Sequence, residues 1–410
     1  MLKKDLQFLE TIINKYNKSK KLDTIKYPLL EKGFTSDDIM RGIEVLLSRN
    51  ITMSNITKKF EIEFAKFVGS KFALMVNSGS SANLLAAFAL INPKKKNRLK
   101  RGDECLVPAV CWSTSLWPIY QAGLVPKFVD VDLENFSMSF QAIKKNITKK
   151  TKAVMIINVL GNCSEIDKIK NFAKKKNLFL IEDNCESLGS SYKNKLLGTF
   201  GDFSTFSFYY SHQLTAGEGG MIVCKNLKDY KLLQTLRAHG WDREIKKKKN
   251  TFNFINQGFN VRPLEVSAAI GLNQLKRIKL MISVRKKNRD KIIKAMKMSP
   301  KWNNQYSFFE GNKYLKPSWF SLPLLINHNF LSKKNLFLKY LQNKKVETRP
   351  IISGNFANQP CIDLHKIKFN KRELQNAEEI DRRGFFIGLP TKPLKRTTVQ
   401  TLTNLLLDLK

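Results

Sequence analysis

The stretch FSFYYSHQLTAGEGG (Phe206–Gly220) reads as a strand that stops, turns and presents a polar side chain, His212, at its tip. Glycines flank Glu218 behind it and lead into a second apolar run, GMIVC (Gly220–Cys224), and no lysine occurs in the stretch. Upstream, short apolar runs alternate with helical patterns from about residue 60 onward: FALMV (72–76), ECLVP (104–108), PKFVDV (126–131), AVMIINV (153–159), LFLIED (178–183) and FSTFSFY (203–209). Such runs, separated by crossover helices, predict an α/β fold with a mostly parallel sheet of about seven strands covered on both faces.

A helical pattern runs from Pro263 through AAIGLNQLKRIKLMISVRKKNRDKIIKAM, with the proline at a first-turn position. It is expected to bridge into a smaller C-terminal α+β domain, in which WFSLPLLI (319–326) is the clearest strand and 333–341 and 372–383 are helices. The expected division is an N-terminal helical segment over 1–55 packing on the small domain, a large domain over 56–270 and the small domain over 271–410.

At 410 residues and 42% hydrophobic content the chain can bury a large core. No apolar run approaches the roughly 20 residues of a membrane helix, and the charged amphipathic start predicts a cytoplasmic protein with no membrane partner. The six cysteines are scattered without a CxxC pair, and the four histidines (His212, His239, His328, His365) share no metal-ligand spacing, so no metal site is expected. A net charge of +38 raises nucleic-acid binding, but the lysines fall in short dispersed runs (94–96, 174–176, 246–249) without interleaved aromatics. A solvated basic surface is the expectation, with no nucleic-acid partner.

Several strand ends carry polar or aromatic groups where open α/β sheets bind ligands. In VNSGSSANLLAAFAL (Val76–Leu90), Ser78, Gly79, Ser80 and Ser81 offer N–H groups and hydroxyls at a helix start, which suits a phosphate or a simple N-cap. Asp183 ends LFLIED and can hold a protonated ring nitrogen or cap the next helix. Trp112, in VPAVCWSTSLWP, can cover an aromatic cofactor or fill the core. Ser207 is a second phosphate hydroxyl or an ordinary strand polar residue.

Jointly these segments resemble the PLP-dependent sugar aminotransferases of the aspartate-aminotransferase (fold type I) superfamily, the DegT/DnrJ/StrS group. The likeness runs from about Ile51 to about Pro360 and rests on NSGSSAN, VPAVCWSTSLWP, EDNCESLGS, GTFGDFSTFSF, GEGGMIV and GFNVRPLEVSAAIGLNQL. In that family the residue five beyond the serine of the SF segment is the lysine that bonds to PLP; here Ser207 is kept and His212 stands in the lysine's place. This exchange, with NSGSSANLLA and ETRPIISGNFANQP (Glu347–Pro360), resembles the 3-dehydratase branch.

That resemblance implies a PLP/PMP-dependent dehydratase that removes the C3 hydroxyl of a nucleotide-linked 4-keto-6-deoxyhexose, in deoxysugar synthesis for lipopolysaccharide O-antigen or a similar polysaccharide. His212 and Asp183 are the implied catalytic residues. Gly79, Ser80, Ser81 and Ser207 are implied to hold the cofactor phosphate, Trp112 to stack on the ring, and Glu186 to sit near the ring hydroxyl. Asn260, in GFN, is implied to reach the phosphate of a neighbouring subunit, hence a homodimer with shared sites. Arg349 is a candidate for substrate or amino-donor anions, or a surface arginine. One subtype of the branch carries a cysteine-bound two-iron, two-sulfur cluster, but RAHGWDREIKKKKNTFNFINQ has no cysteine, so the cluster-free, L-glutamate-recharged subtype is expected. The alternatives are an aminotransferase with an atypical proton shuttle and a non-catalytic PLP-binding regulator.

Overall fold

The structure, a computed structural model, describes residues 3–19, 26–30, 33–245 and 252–409, and the Lys246–Lys249 run lies outside the described residues. Seven strands form the large sheet: β1 (Phe72–Val76), β2 (Glu104–Pro108), β3 (Val125–Val129), β4 (Thr151–Ile157), β5 (Phe179–Asp183), β6 (Phe203–Ser207) and β7 (Gly220–Cys224). Their order is β1-β7-β6-β5-β4-β2-β3. Only β7 runs antiparallel to its neighbours, because the His212 loop returns the chain beside β6. β1 and β6 are therefore parallel, and the carboxyl ends of β1, β2, β4, β5 and β6 share one edge.

Helices cover both faces, and the strands are buried almost throughout, as the unbroken apolar runs require. At one face Arg237 is fully buried and donates to Glu61 and to the Met75 carbonyl, both at 2.7 Å, fixing β1 against the helix Asn55–Val68.

A second, antiparallel sheet follows: β8 (Tyr306–Phe308), β9 (Ser321–Ile326), β10 (Thr348–Arg349) and β11 (Gly384–Gly388), in the order β8-β9-β11-β10. It leans on the carboxyl edge of the large sheet. Ser353 Oγ donates to Cys111 O at 2.6 Å and Phe356 N to Ala109 O at 2.8 Å, while Gly161 (φ +98°) passes so close to Ser318 that an added Cβ would lie 2.3 Å from its carbonyl oxygen.

The single long helix expected after Pro263 is two, Glu265–Leu275 and Ile278–Met298. The break falls at Lys276–Arg277, where the Arg277 guanidinium turns onto the fully buried carboxylate of Asp38. Asp38 belongs to the helix Ser36–Ser48, which lies along Glu265–Leu275. Ahead of that helix, residues 26–30 lie against the small sheet, with Tyr27 Oη donating to Gly388 O at 3.0 Å.

Candidate active site

A cavity of about 760 Å³ opens at the shared carboxyl edge, under β10 and β11 of the small sheet. Gly79, Ser80, Trp112, Asp183, Glu186, Ser207, His212 and Arg349 line it together. Ser81 and Asn260 do not: the Ser81 hydroxyl is turned back onto Asn77 at 2.6 Å, and Asn260 lies exposed elsewhere. A larger cavity of about 1030 Å³ runs beside Arg237, His239 and Trp241 and contains none of these residues.

β1 ends in the Asn77–Ser78 turn, and Ser78 caps the helix Gly79–Leu90 by accepting from Ser81 N at 3.1 Å. Gly79 is required by close approach, since a Cβ there would sit 2.6 Å from Ser207 Cβ and 3.0 Å from Cys185 Sγ. The helix start is thereby pressed against the end of β6. The helix start and the hydroxyl-bearing Ser80, Thr114 and Ser207 line the same part of the cavity wall, with Ser80 Oγ donating to Thr114 Oγ1 at 2.9 Å, a set of groups suited to a phosphate.

Asp183, at the end of β5, is 4% exposed. Its Oδ2 accepts from Asn83 Nδ2 and Ser115 Oγ, both at 2.8 Å, and its Oδ1 from Cys185 N at 3.0 Å. Thr205 Oγ1 in turn donates to Asn83 Oδ1 at 2.6 Å, which fixes the amide's orientation. No cation pairs with this carboxylate among the described residues, so it is oriented by neutral donors and free to hold a protonated base. Asn83, Ser115 and Thr205 belong to the site although they carry no distinctive sequence signal of their own. Asn83 and Ser115 do fall inside the quoted segments NSGSSAN and VPAVCWSTSLWP.

Trp112 is 57% exposed at the cavity mouth, so it does not fill the core. Glu186 accepts from Leu160 N at 3.1 Å, and burial pushes its carboxyl up to about 7. Arg349 pairs with Glu347 at 2.9 Å at the rim. The His212 imidazole stands edge-on to Phe320 and Tyr209, with ring centroids 5.1 and 6.0 Å away. Burial first, and the Arg285 guanidinium second, pull its proton affinity down to about 3. No lysine lines the cavity among the described residues.

A glycine-permitted phosphate turn, a buried carboxylate free of cations and an exposed indole around one cavity fit pyridoxal phosphate, and with the seven-stranded sheet they define a fold-type-I PLP-dependent transferase. The chain belongs to the DegT/DnrJ/EryC1/StrS aminotransferase family, whose model matches residues 34–405, beyond both limits of the segments quoted above. It is 39% identical over 376 residues to GDP-4-keto-6-deoxy-D-mannose 3-dehydratase of Escherichia coli O55:H7, a match covering 89% of this chain and 95% of that one. Among solved structures it is similar to the E. coli GDP-4-keto-6-deoxy-D-mannose-3-dehydratase with bound hydrated PLP (TM-score 0.86, 37% identity, 94% of this chain and 100% of that). It is equally similar to a GDP-4-keto-6-deoxymannose-3-dehydratase with a trapped PLP-glutamate geminal diamine (TM-score 0.86, 36% identity, 93% and 100%).

Proposed function

We propose that this chain is a PLP-dependent nucleotide-sugar 3-dehydratase of deoxysugar synthesis, taking a GDP-linked 4-keto-6-deoxyhexose and using L-glutamate as amino donor. The observation that carries this reading is the His212 imidazole in a cavity that no lysine lines among the described residues. When bound, the pyridoxamine form of the cofactor supplies an amine for the C4 ketone and an electron-accepting ring.

Gly79, Ser80 and Ser207 hold the phosphate, and Ser81 contributes through the turn it braces, its N–H on Ser78 and its hydroxyl on Asn77. Trp112 covers the ring face. Asp183, oriented by Asn83 and Ser115, holds the proton on the ring nitrogen, and Glu186 lies beside the ring hydroxyl. His212 accepts a proton at the reacting carbon and delivers it to the 3-hydroxyl as that group leaves as water. With no lysine lining it among the described residues, the site offers no amine to displace an aminated sugar, so loss of oxygen wins over aminotransfer.

Residues 56–270 carry the cofactor in this reading, and 271–410 close over the substrate with Arg349 at the anion end. A homodimer is proposed with it, exposed Asn260 reaching the partner's cofactor phosphate. A cytoplasmic setting agrees with six free cysteines.

The deciding experiment incubates the protein with GDP-4-keto-6-deoxy-D-mannose, PLP and glutamate and weighs the product. A sugar lacking one oxygen, with ammonia released, is expected; a sugar with nitrogen at C4 would make the chain an aminotransferase, and no turnover a regulator. His212→Asn is expected to cost about 10²- to 10⁴-fold in turnover while the cofactor still binds.

A further inference from the structure

A buried cation close to His212 takes no part in the proton transfer itself. Arg285 lies in the helix Ile278–Met298 and is 1% exposed. Its Nη2 donates to His212 O and its Nη1 to Phe320 O, both at 3.3 Å, and its Nε has no partner. Among the described residues no carboxylate pairs with it, and burial alone draws its proton affinity down to about 10. A guanidinium held out of water without a counter-ion is costly, and one that bonds only backbone carbonyls beside a proton-carrying side chain calls for a reason.

The imidazole borne by the loop it bonds is unusual in the same way. Histidines that move protons generally have the second ring nitrogen bonded to a carboxylate or carbonyl, which fixes tautomer and charge. Here His212 Nδ1 is buried with no protein partner. The other titratable or charged groups lining its cavity are Asp183, Cys185, Glu186, Tyr209, Glu218 and Arg349, and none hydrogen-bonds the ring. Orientation comes instead from behind: Arg285 bridges the carbonyl of His212 itself to that of Phe320, whose ring meets the imidazole edge-on at 5.1 Å.

We propose that Arg285 is a positioning residue for His212, a buried cation that clamps the loop bearing the imidazole to the segment leading into β9 and disfavours a second positive charge on the ring. This rests on the reading of His212 as proton carrier. Its consequence is directional. An imidazolium formed beside Arg285 is raised in energy, so an accepted proton passes on to the departing hydroxyl instead of staying on the ring. A carboxylate in place of Arg285 would do the opposite and trap the proton.

The test compares wild type, Arg285→Met and Arg285→Lys as full-length protein, following the His212 imidazole by NMR, with His212→Asn identifying its resonance among four histidines. Steady-state kinetics with the GDP-linked 4-keto-6-deoxyhexose and glutamate run alongside across pH. In Arg285→Met the imidazole is expected to titrate at least about one pH unit higher than in wild type, the effect of removing one nearby charge at partial burial. The acid limb of kcat/KM should move the same way, and kcat should fall about tenfold or more with KM nearly unchanged. Arg285→Lys, which keeps the charge but not the two-pronged clamp, should hold the imidazole's titration near wild type and recover only part of kcat. An imidazole that titrates in Arg285→Met where it does in wild type overturns the proposal. Should that variant not fold, Arg285→Lys decides: full kcat, or an imidazole titrating a unit higher, overturns the proposal. The wider functional reading fails separately, by His212→Asn that still deoxygenates the sugar, an outcome that leaves the NMR comparison intact.

Discussion

Asn83 and Asp183 are joined at 2.8 Å across the sheet edge, amide nitrogen to carboxylate oxygen, one from the helix after β1 and the other from the end of β5. The same amide accepts from Thr205 on β6, so one helix and two strands of the large sheet are locked around one carboxylate. Asn83→Ala removes a donor from a buried anion and an acceptor from a buried hydroxyl. A loss of about 1–3 kcal/mol in unfolding free energy is expected by urea titration, together with weaker PLP binding followed by the cofactor's absorption. Wild-type values for both would mean that Ser115 and Cys185 N suffice to orient Asp183.

Gly79→Ala probes the close approach of helix and strand. The added methyl meets Ser207 Cβ at 2.6 Å and Ser207 Cα at 3.1 Å, and backbone cannot yield as a flexible side-chain end can. Separation of the helix start from β6 is expected, at a cost of about 1–3 kcal/mol. PLP affinity should fall with it, because the phosphate N–H groups and the Ser207 hydroxyl no longer converge. Intact affinity in a destabilised variant would remove Gly79 from the phosphate turn.

Trp112→Ala separates ligand binding from stability. Because the indole is 57% exposed, its loss should change unfolding free energy by no more than about 0.5 kcal/mol. Stacking on a ring is worth about 0.5–1.5 kcal/mol beyond area, so PLP affinity should drop up to about tenfold. A large stability loss with unchanged affinity would return Trp112 to the core.

These residues differ in how far the chain announces them. Asp183, Ser207 and His212 each end or follow an apolar run, so their place at the sheet's carboxyl edge is legible from strand pattern alone. Asn83, Ser115 and Thr205 are not legible in this way. They gather around Asp183 through the order β1-β7-β6-β5-β4-β2, which brings Asn83 and Thr205 from one side of β5 and Ser115 from the other, a set of non-local pairings that no local periodicity encodes. Trp112 was open between core and cavity, and only its exposure decides the matter. The broken helix shows a tertiary contact overriding a continuous local pattern, because buried Asp38 draws Arg277 out of register. Arg285 resembles any other arginine of a basic helix until burial and the two carbonyls it bonds set it apart.

Glu186 should make stability depend on pH. Burial raises its carboxyl from 4.5 to about 7, the Leu160 N–H opposes that rise and Asp183 adds to it. The unfolded chain releases this proton near 4.5 while the folded chain keeps it until about 7, so the group's contribution favours folding least above pH 7 and is lost progressively as pH rises through that window. Glu186→Gln keeps an oxygen for Leu160 N–H and cannot ionise. Relative to wild type, the cofactor-free variant should show no pH-dependent gain at pH 4.5 and a gain of about 1–3 kcal/mol above pH 7, measured by urea unfolding at a series of pH values. Taking the difference between the two proteins cancels the titration of every other carboxylate and histidine they share. A difference independent of pH would show that the carboxyl titrates in the folded protein as it does in the unfolded chain, and at neutral pH Glu186 would then face a cofactor hydroxyl as an anion instead of as a proton donor.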